Sequence, residues 1–312
     1  MKILIKYTFL LFILTSTVSF YTVHAQVAEI IHQDTVAVPV KSLLWEITGK
    51  NLKKPSYLYG TIHMIDAKDF FLTEATKQTF DASERVTFEI DMEDMTSIFT
   101  MFTVMTKVMM KDGVTLKDLL SSDDYTVVKN HFETLGLPMF MMERIKPMFL
   151  SAFSSGDAPS MGSLNNEDSN VKSYEMEFMK MAKAQDKEME GLETIAFQMG
   201  IFDSIPYKAQ AEMLVESIKA GDTGDTELDM LTEIYKQQDI ESLHGMVQSD
   251  SSGIDPYEEM LLVNRNRNWI PLMADMMKKK STFFAVGAGH LGGDKGVINL
   301  LRKEGYTLKP LF

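Results

Sequence analysis

The sequence contains no cysteine. Disulfide scaffolds and thiolate-ligated zinc or iron–sulfur sites are therefore excluded, because the ligand atom is missing. Basic residues are scarce: 31 Lys and Arg stand against 44 Asp and Glu, a formal net charge of −13. A nucleic-acid binder needs a basic face to offset phosphate, so that class is excluded as well. No internal repeat recurs at a period of 20–50 residues, which removes solenoids and propellers. What is present is a composition of 45% hydrophobic and 24% charged residues, normal for a packed globular chain and unlike a disordered one. Methionine is in excess, with 25 in 312 residues.

The N-terminus carries the longest apolar run. Lys2 and Lys6 flank the start of a stretch from Tyr7 to Val18, and Val23-His24-Ala25 offers small residues before Gln26. This order predicts a secretory signal peptide over residues 1–25 and a mature domain over 26–312. The run is shorter than the roughly 20 residues a membrane span needs, so no transmembrane segment is expected after cleavage. A lipoprotein anchor is excluded because no cysteine follows. The expected location is exported, periplasmic or extracellular.

In the mature chain, residues 26–40 read as a loose lead-in. Residues 43–62 read as a β-hairpin, and Thr73 to Ala82 as a short helix. Arg85 to Met92 alternates strictly and predicts a half-buried strand, with Thr87, Glu89 and Asp91 on one face. From about 93 to 260 the pattern is mostly helical, interrupted by a long Ser/Gly/Asn/Asp loop at 154–169 and a short strand-like element at 189–194. A helix is expected over Leu261 to Lys279, then a β-run from Ser281 to Val286, a glycine turn, a helix at 295–304 and a last strand from Tyr306. The expected fold is α/β: a mixed β-sheet core built from N- and C-terminal segments, flanked by helices, with a large helical insert.

Two motifs stand at matching places. Gly60-Thr61-Ile62-His63 and Gly287-Ala288-Gly289-His290 each follow a strand, among five histidines outside the expected signal peptide. In α/β sheets ligands bind outside the carboxyl ends of strands, so both imidazoles are placed to face one crevice. Histidine is a preferred metal ligand and acid/base group because its pKa lies near neutrality. His32, His131 and His244 have no such setting and read as surface residues. Gly287, Gly289 and Gly292 also match Gly-x-Gly-x-x-Gly. A dinucleotide site needs a further strand and an acidic residue about 20 positions on, and no such unit fits before Phe312. Glu89 with Asp91 is open to two readings, a metal- or proton-handling pair or a solvated strand face, and Glu193 shares that ambiguity. Arg265-Asn266-Arg267-Asn268 reads either as a surface run or as donors that hold a substrate carboxylate or a catalytic glutamate.

Taken together, the blocks resemble a known family. Leu44-Trp45-Glu46-Ile47 with Tyr57 to His63, then Phe88-Glu89-Ile90-Asp91, Gly191-Leu192-Glu193-Thr194 with Gln198, Arg265-Asn266 and Ala285 to Leu291 follow the order of motifs in the TraB/GumN family, relatives of the Tiki metalloproteases. The resemblance implies an erythromycin-esterase/ChaN-like fold and metal-dependent peptide hydrolysis. It nominates His63, His290 and Glu89 as metal-binding and catalytic residues, with Arg265 in the catalytic set. Gly60, Glu193, Asn266, Gly287 and Gly289 are the expected substrate-lining residues. The family commonly has an aspartate where Glu175 stands, Pro-Trp where Pro147-Met148 stands, and an acid where Asn264 stands; these departures point to a different substrate pocket.

Two functions are carried forward. One is a metal-dependent hydrolase, most simply a peptidase, using imidazole and oxygen ligands suited to Mn, Co, Zn or Fe. The other is a non-catalytic periplasmic binding protein for a peptide, haem or another apolar ligand. The methionines concentrate between Met92 and Met148 and across 161–199, away from both histidine motifs. They read as helix core or as an adaptable apolar wall around a groove.

Overall fold

A computed structural model describes residues 41–92, 98–151, 170–247 and 255–312. The expected signal peptide, the lead-in with His32 and the whole of the 154–169 loop lie outside these residues.

The first strands are β1 (Leu44–Gly49) and β2 (Ser56–Thr61), which pair antiparallel as the expected hairpin. A two-residue strand β3 (Ile65–Asp66) follows, then helix α1 (Glu74–Ala82), whose N-cap Thr73 accepts from the Thr76 N–H. The next strand is β4 (Arg85–Ile90). The middle of the chain supplies α2 (Ile98–Lys107), α3 (Ser122–Thr134), a short β5 (Val171–Lys172) paired with β3, and α4 (Tyr174–Ala184). After β6 (Glu188–Glu193) come α5 (Ile195–Ile201), α6 (Tyr207–Ala220), α7 (Asp222–Lys236) and α8 (Ile240–Val247). The chain then forms α9 (Asn264–Lys279), which includes Pro271, β7 (Thr282–Gly287), α10 (Val297–Lys303) and β8 (Tyr306–Leu311).

Six strands form one mixed sheet in the order β6-β4-β7-β2-β1-β8. The pairs β6–β4, β4–β7 and β7–β2 are parallel, and β1 is antiparallel to both its neighbours. The α/β class and the joining of N- and C-terminal strands match the sequence reading. One strand, β6, comes from the stretch read as mostly helical and returns to the sheet edge.

β4 departs from expectation. It was expected to be half-buried, yet Thr87 and Glu89 are buried along with Val86 and Phe88. Parallel strands are covered on both faces. On one face Phe283, the register partner of Val86, packs against Phe80 of α1 and Phe178 of α4. On the other, Thr87 Oγ1 lies 3.8 Å from Met276 Sδ of α9, and Glu89 meets Arg265 of the same helix. A polar strand face is thus covered by a helix that brings its own charge. A second, smaller core gathers Met110, Leu116, Val128, Phe132, Met139, Met142, Leu150, Leu214 and Val215 among the helices.

Candidate active site

Four adjacent parallel strands bring their carboxyl ends to one edge. Thr61 of β2 stands opposite Gly287 of β7, and Ile90 of β4 opposite Glu193 of β6. His63 follows β2 by two residues, His290 follows β7 by three, Glu89 is the next-to-last residue of β4, and Glu193 closes β6. The result is a cleft of about 230 Å³ lined by His63, Glu89, Gln198, Ile201, Phe202, Leu261, Arg265, Gly287 and His290. A larger cavity of about 490 Å³ runs along Met64–Asp69, Asn170, Val171, Asp229 and Thr232; it contains neither histidine motif, so the chemistry belongs to the smaller cleft.

Arg265 links the cleft's acidic groups. It opens α9 directly after a π-helical turn at Glu259–Val263, a distortion frequent at functional sites. Its Nε donates to both Glu193 oxygens at 3.0 Å, and its Nη2 to Glu193 Oε2 at 2.8 Å and Glu89 Oε2 at 2.6 Å. Its Nη1 reaches the Leu261 carbonyl at 3.2 Å and His290 Nε2 at 3.2 Å. Trp269, one helical turn on, donates to Glu193 Oε1 at 2.9 Å, and its ring lies 5.0 Å from the guanidinium and 4.5 Å from the His290 ring. Glu89 is held from three further points: Oε1 accepts the Gly287 N–H at 2.8 Å and Oε2 accepts Gln198 Nε2 at 3.0 Å, while Oε1 lies 3.8 Å from His290 Nε2.

Each imidazole is fixed through Nδ1. His290 Nδ1 lies 2.7 Å from Asn266 Oδ1, and Asn266 Nδ2 donates to the carbonyls of Lys295 at 3.0 Å and His290 at 3.4 Å. Asn266 thus offers only an acceptor, so Nδ1 bears the proton and Nε2 the lone pair. His63 Nδ1 lies 3.0 Å from Glu175 Oε1, which also accepts Thr61 Oγ1 at 2.8 Å; Glu175 Oε2 accepts Ser173 Oγ at 2.9 Å. A carboxylate cannot donate, so His63 also presents Nε2 away from its anchor.

The electrostatics follow from burial and partners. Burial opposes the charge on Glu89 but is outweighed by His290 and Arg265, and the carboxyl is held down to about 2. Burial pushes the His290 imidazole down to about 3; Glu89 pulls the other way, and Arg265 adds to the depression. His63 moves in the opposite direction. The Glu175 charge and hydrogen bond raise it above its ordinary value, and solvent tempers the pair because the His63 side chain is 73% exposed.

The donor chemistry of His63, His290 and Glu89 fits a divalent ion. Histidine ligands are typically held through the other ring nitrogen by an oxygen acceptor, as both imidazoles are here. The spacing is looser than the chemistry: among the described residues no group of three His, Asp or Glu side chains encloses an ion.

Of the nine expected site residues, His63, Glu89, Arg265, Gly287 and His290 line the cleft. Glu193 and Asn266 lie behind it as the partners of Arg265 and His290. Gly60 does not line it; a Cβ there would stand 3.0 Å from Ala288 Cβ and Leu291 Cδ2, so this glycine lets β2 abut the second motif. Gly289 does not line it either, and its carbonyl lies 3.3 Å from His244 Nδ1. His244 is therefore not the surface residue expected: it is 12% exposed and packed on the glycine turn. A Cβ at Gly293 would meet His244 Nε2 at 2.4 Å, and one at Gly292 the Ile240 carbonyl at 2.7 Å. The Gly-x-Gly-x-x-Gly match thus serves the close packing of α8 on the turn. Gln198 and Glu175 stand in the motif comparison without a role, and here Gln198 holds Glu89 and Glu175 holds His63; Trp269, which holds Glu193, is the residue the motif reading left out. Trp269 had a signal, its spacing of four from Arg265 on one helix.

Residues 43–310 match the TraB/PrgY/gumN family. The chain belongs to the TraB/PrgY/gumN family. Relatives include metalloprotease TIKI1 of Danio rerio, 23% identical over 86% of this chain and 63% of its own length. Metalloprotease TIKI2 of Danio rerio is 25% identical over 86% and 61%, and metalloprotease TIKI1 of Homo sapiens 24% over 86% and 62%. The match thus spans less than two thirds of each of these relatives. No solved structure matches the chain significantly.

Proposed function

We propose that this TraB/PrgY/gumN protein is an exported, metal-dependent hydrolase that cleaves peptide bonds in the cleft at the carboxyl edge of its sheet. The observation that carries the reading is the pair of imidazoles, each anchored through Nδ1, lining one cleft with an ionised glutamate. The relatives named as metalloproteases support the peptide class. The erythromycin-esterase/ChaN-like architecture with its helical insert and the signal peptide over residues 1–25 belong to the same reading. None of the helices among the described residues is long and apolar enough to cross a membrane.

His63 Nε2, His290 Nε2 and Glu89 would hold the ion, with Mn, Co, Zn or Fe suited to this donor set. When bound, a divalent ion polarises a carbonyl oxygen and acidifies water. The chain's own groups do the rest. Glu89 is held so far below neutral that it stays a carboxylate, which suits charge stabilisation better than proton abstraction. Arg265, Gln198 and the Gly287 N–H fix its two oxygens, and Asn266 and Glu175 fix the two rings, so the donors need little reorganisation. Gly287, which lines the cleft, keeps a side chain away from the strand end where a substrate backbone would approach.

The test is cleavage of a peptide library by the purified protein with added Mn or Co. Cleavage that needs the metal and disappears in His63→Ala/His290→Ala is the expected result. Metal-dependent cleavage that survives in the double variant overturns the site, and tight peptide binding with no turnover overturns the reaction.

A further inference from the structure

Arg265 touches the same atoms that an ion would use. An imidazole nitrogen has one lone pair, and that of His290 Nε2 faces Arg265 Nη1 at 3.2 Å. Glu89 differs, because Oε1 has two acceptor sites and, among the described residues, the Gly287 N–H is the one donor on it. The guanidinium has a second anchor: Nε and Nη2 bind Glu193 through three contacts of 2.8–3.0 Å, and Glu193 is itself held by Trp269 Nε1.

We infer that Arg265 is a resident cation of the cleft and that an ion enters at His290 and Glu89 only as Arg265 releases His290 while staying paired with Glu193. The inference rests on the metal reading above. Two positive centres cannot share one lone pair, so the Arg265–His290 contact and an ion on His290 exclude each other. Arg265 is in this respect a positioning residue: it holds Glu89 ionised and keeps His290 oriented while the site is empty of metal, then gives way. The π-helical turn that precedes it also carries Leu261, whose carbonyl accepts the same Nη1.

The structure supplies its own reporter. The chain has two tryptophans. Trp269 lies against both Arg265 and His290, whereas Trp45 lies on β1 near Arg302. Zinc chloride is the probe, because closed-shell Zn²⁺ does not quench by paramagnetism. It is titrated into wild-type protein and Trp45→Phe while emission is recorded, and uptake is measured in parallel by calorimetry. The expected result is a Trp269 emission change with the same midpoint as uptake. Arg265→Gln, checked for folding by circular dichroism, should bind Zn²⁺ about tenfold more tightly or better, because a positive charge that repels the ion is gone, with the emission change abolished. His290→Asn should weaken uptake.

Uptake without an emission change, together with weaker binding by Arg265→Gln, overturns the inference. If peptide cleavage still needs metal in that case, the proposed function stands. Undiminished uptake by His290→Asn puts the ion elsewhere and overturns both, as does no uptake by any of the proteins. Should Arg265→Gln fail to fold, the coincidence of emission and uptake in wild type decides the matter alone.

Discussion

The carboxyl edge of the sheet and the helical region beside it solve burial in opposite ways. At the edge, charged and polar groups are buried, and each has named partners: Glu89, Glu193 and Arg265 satisfy one another, and Asn266 completes His290. In the helical region a small core of Met110, Leu116, Phe132, Met139 and Met142 is apolar and separate from the sheet core. Nearby side chains such as Phe102, Met105, Phe140 and Met141 remain exposed. A buried polar network is costly unless every member is paired, so it specifies one arrangement. A methionine-rich core tolerates several. The site is therefore built where the fold permits least variation, and the adaptable material is kept out of it.

The contrast can be broken most sharply at Glu89. Glu89→Gln keeps the shape and removes the charge, and turnover of a cleavable peptide should fall by about 10²–10⁴-fold. Catalysis within tenfold of wild type would remove Glu89 from the site. Next come paired core deletions. Phe283→Ala in the sheet and Phe132→Ala among the helices should each cost about 3–5 kcal/mol. Hydrogen exchange separates them: Phe283→Ala should lower protection throughout, Phe132→Ala only in the helical region. Uniform loss in both variants would show the two cores to be one cooperative unit.

Acid provides a third handle. An unfolded histidine titrates near 6.5 and an unfolded glutamate near 4.5, while folded His290 and Glu89 titrate at about 3 and about 2. In both windows the unfolded chain binds more protons, so stability present at neutral pH is lost as pH falls. The loss begins near 6.5 with His290 and continues below 4.5 with Glu89. His290→Asn should flatten the denaturation midpoint between pH 6.5 and 4.5, and an unchanged slope there would refute the assignment. A smaller effect is expected at Glu175. Glu175→Gln removes the charge that raises His63, so the His63 ring should titrate at lower pH by NMR and activity should drop about 10–100-fold. The smallest belongs to the helical surface: Phe140→Ser, at a side chain 80% exposed, should move stability by no more than about 0.5 kcal/mol.

Much of this arrangement was legible in the sequence. The strand at 85–90, the hairpin, the C-terminal β–turn–α–β unit and the convergence of His63 with His290 follow from alternation and from glycines at strand ends. Burial of Thr87 and Glu89 was not legible, because strict alternation looks the same whether the polar face meets water or a helix carrying Arg265. His244 misled for a related reason. Nothing local marks a histidine whose partner is a glycine turn 45 residues away. Glu175 was noticed only as a departure from aspartate, and its role stayed hidden because it is defined by His63, 112 positions earlier. The methionine excess is core only in part: Met110, Met139 and Met142 are buried, while Met105 and Met141 lie open to solvent and line neither cavity.

The strand order carries a consequence for how the protein is made. β7, residues 282–287, lies between β2 and β4. Until that late segment is available, the early strands have no common neighbour, and neither histidine motif has the other to face. The edge that carries the candidate site thus cannot form on a nascent chain, whatever its first 280 residues do. Contacts of such long sequence separation also make folding slower than that of a chain built from local contacts. A site assembled this way stays unformed while the chain is incomplete.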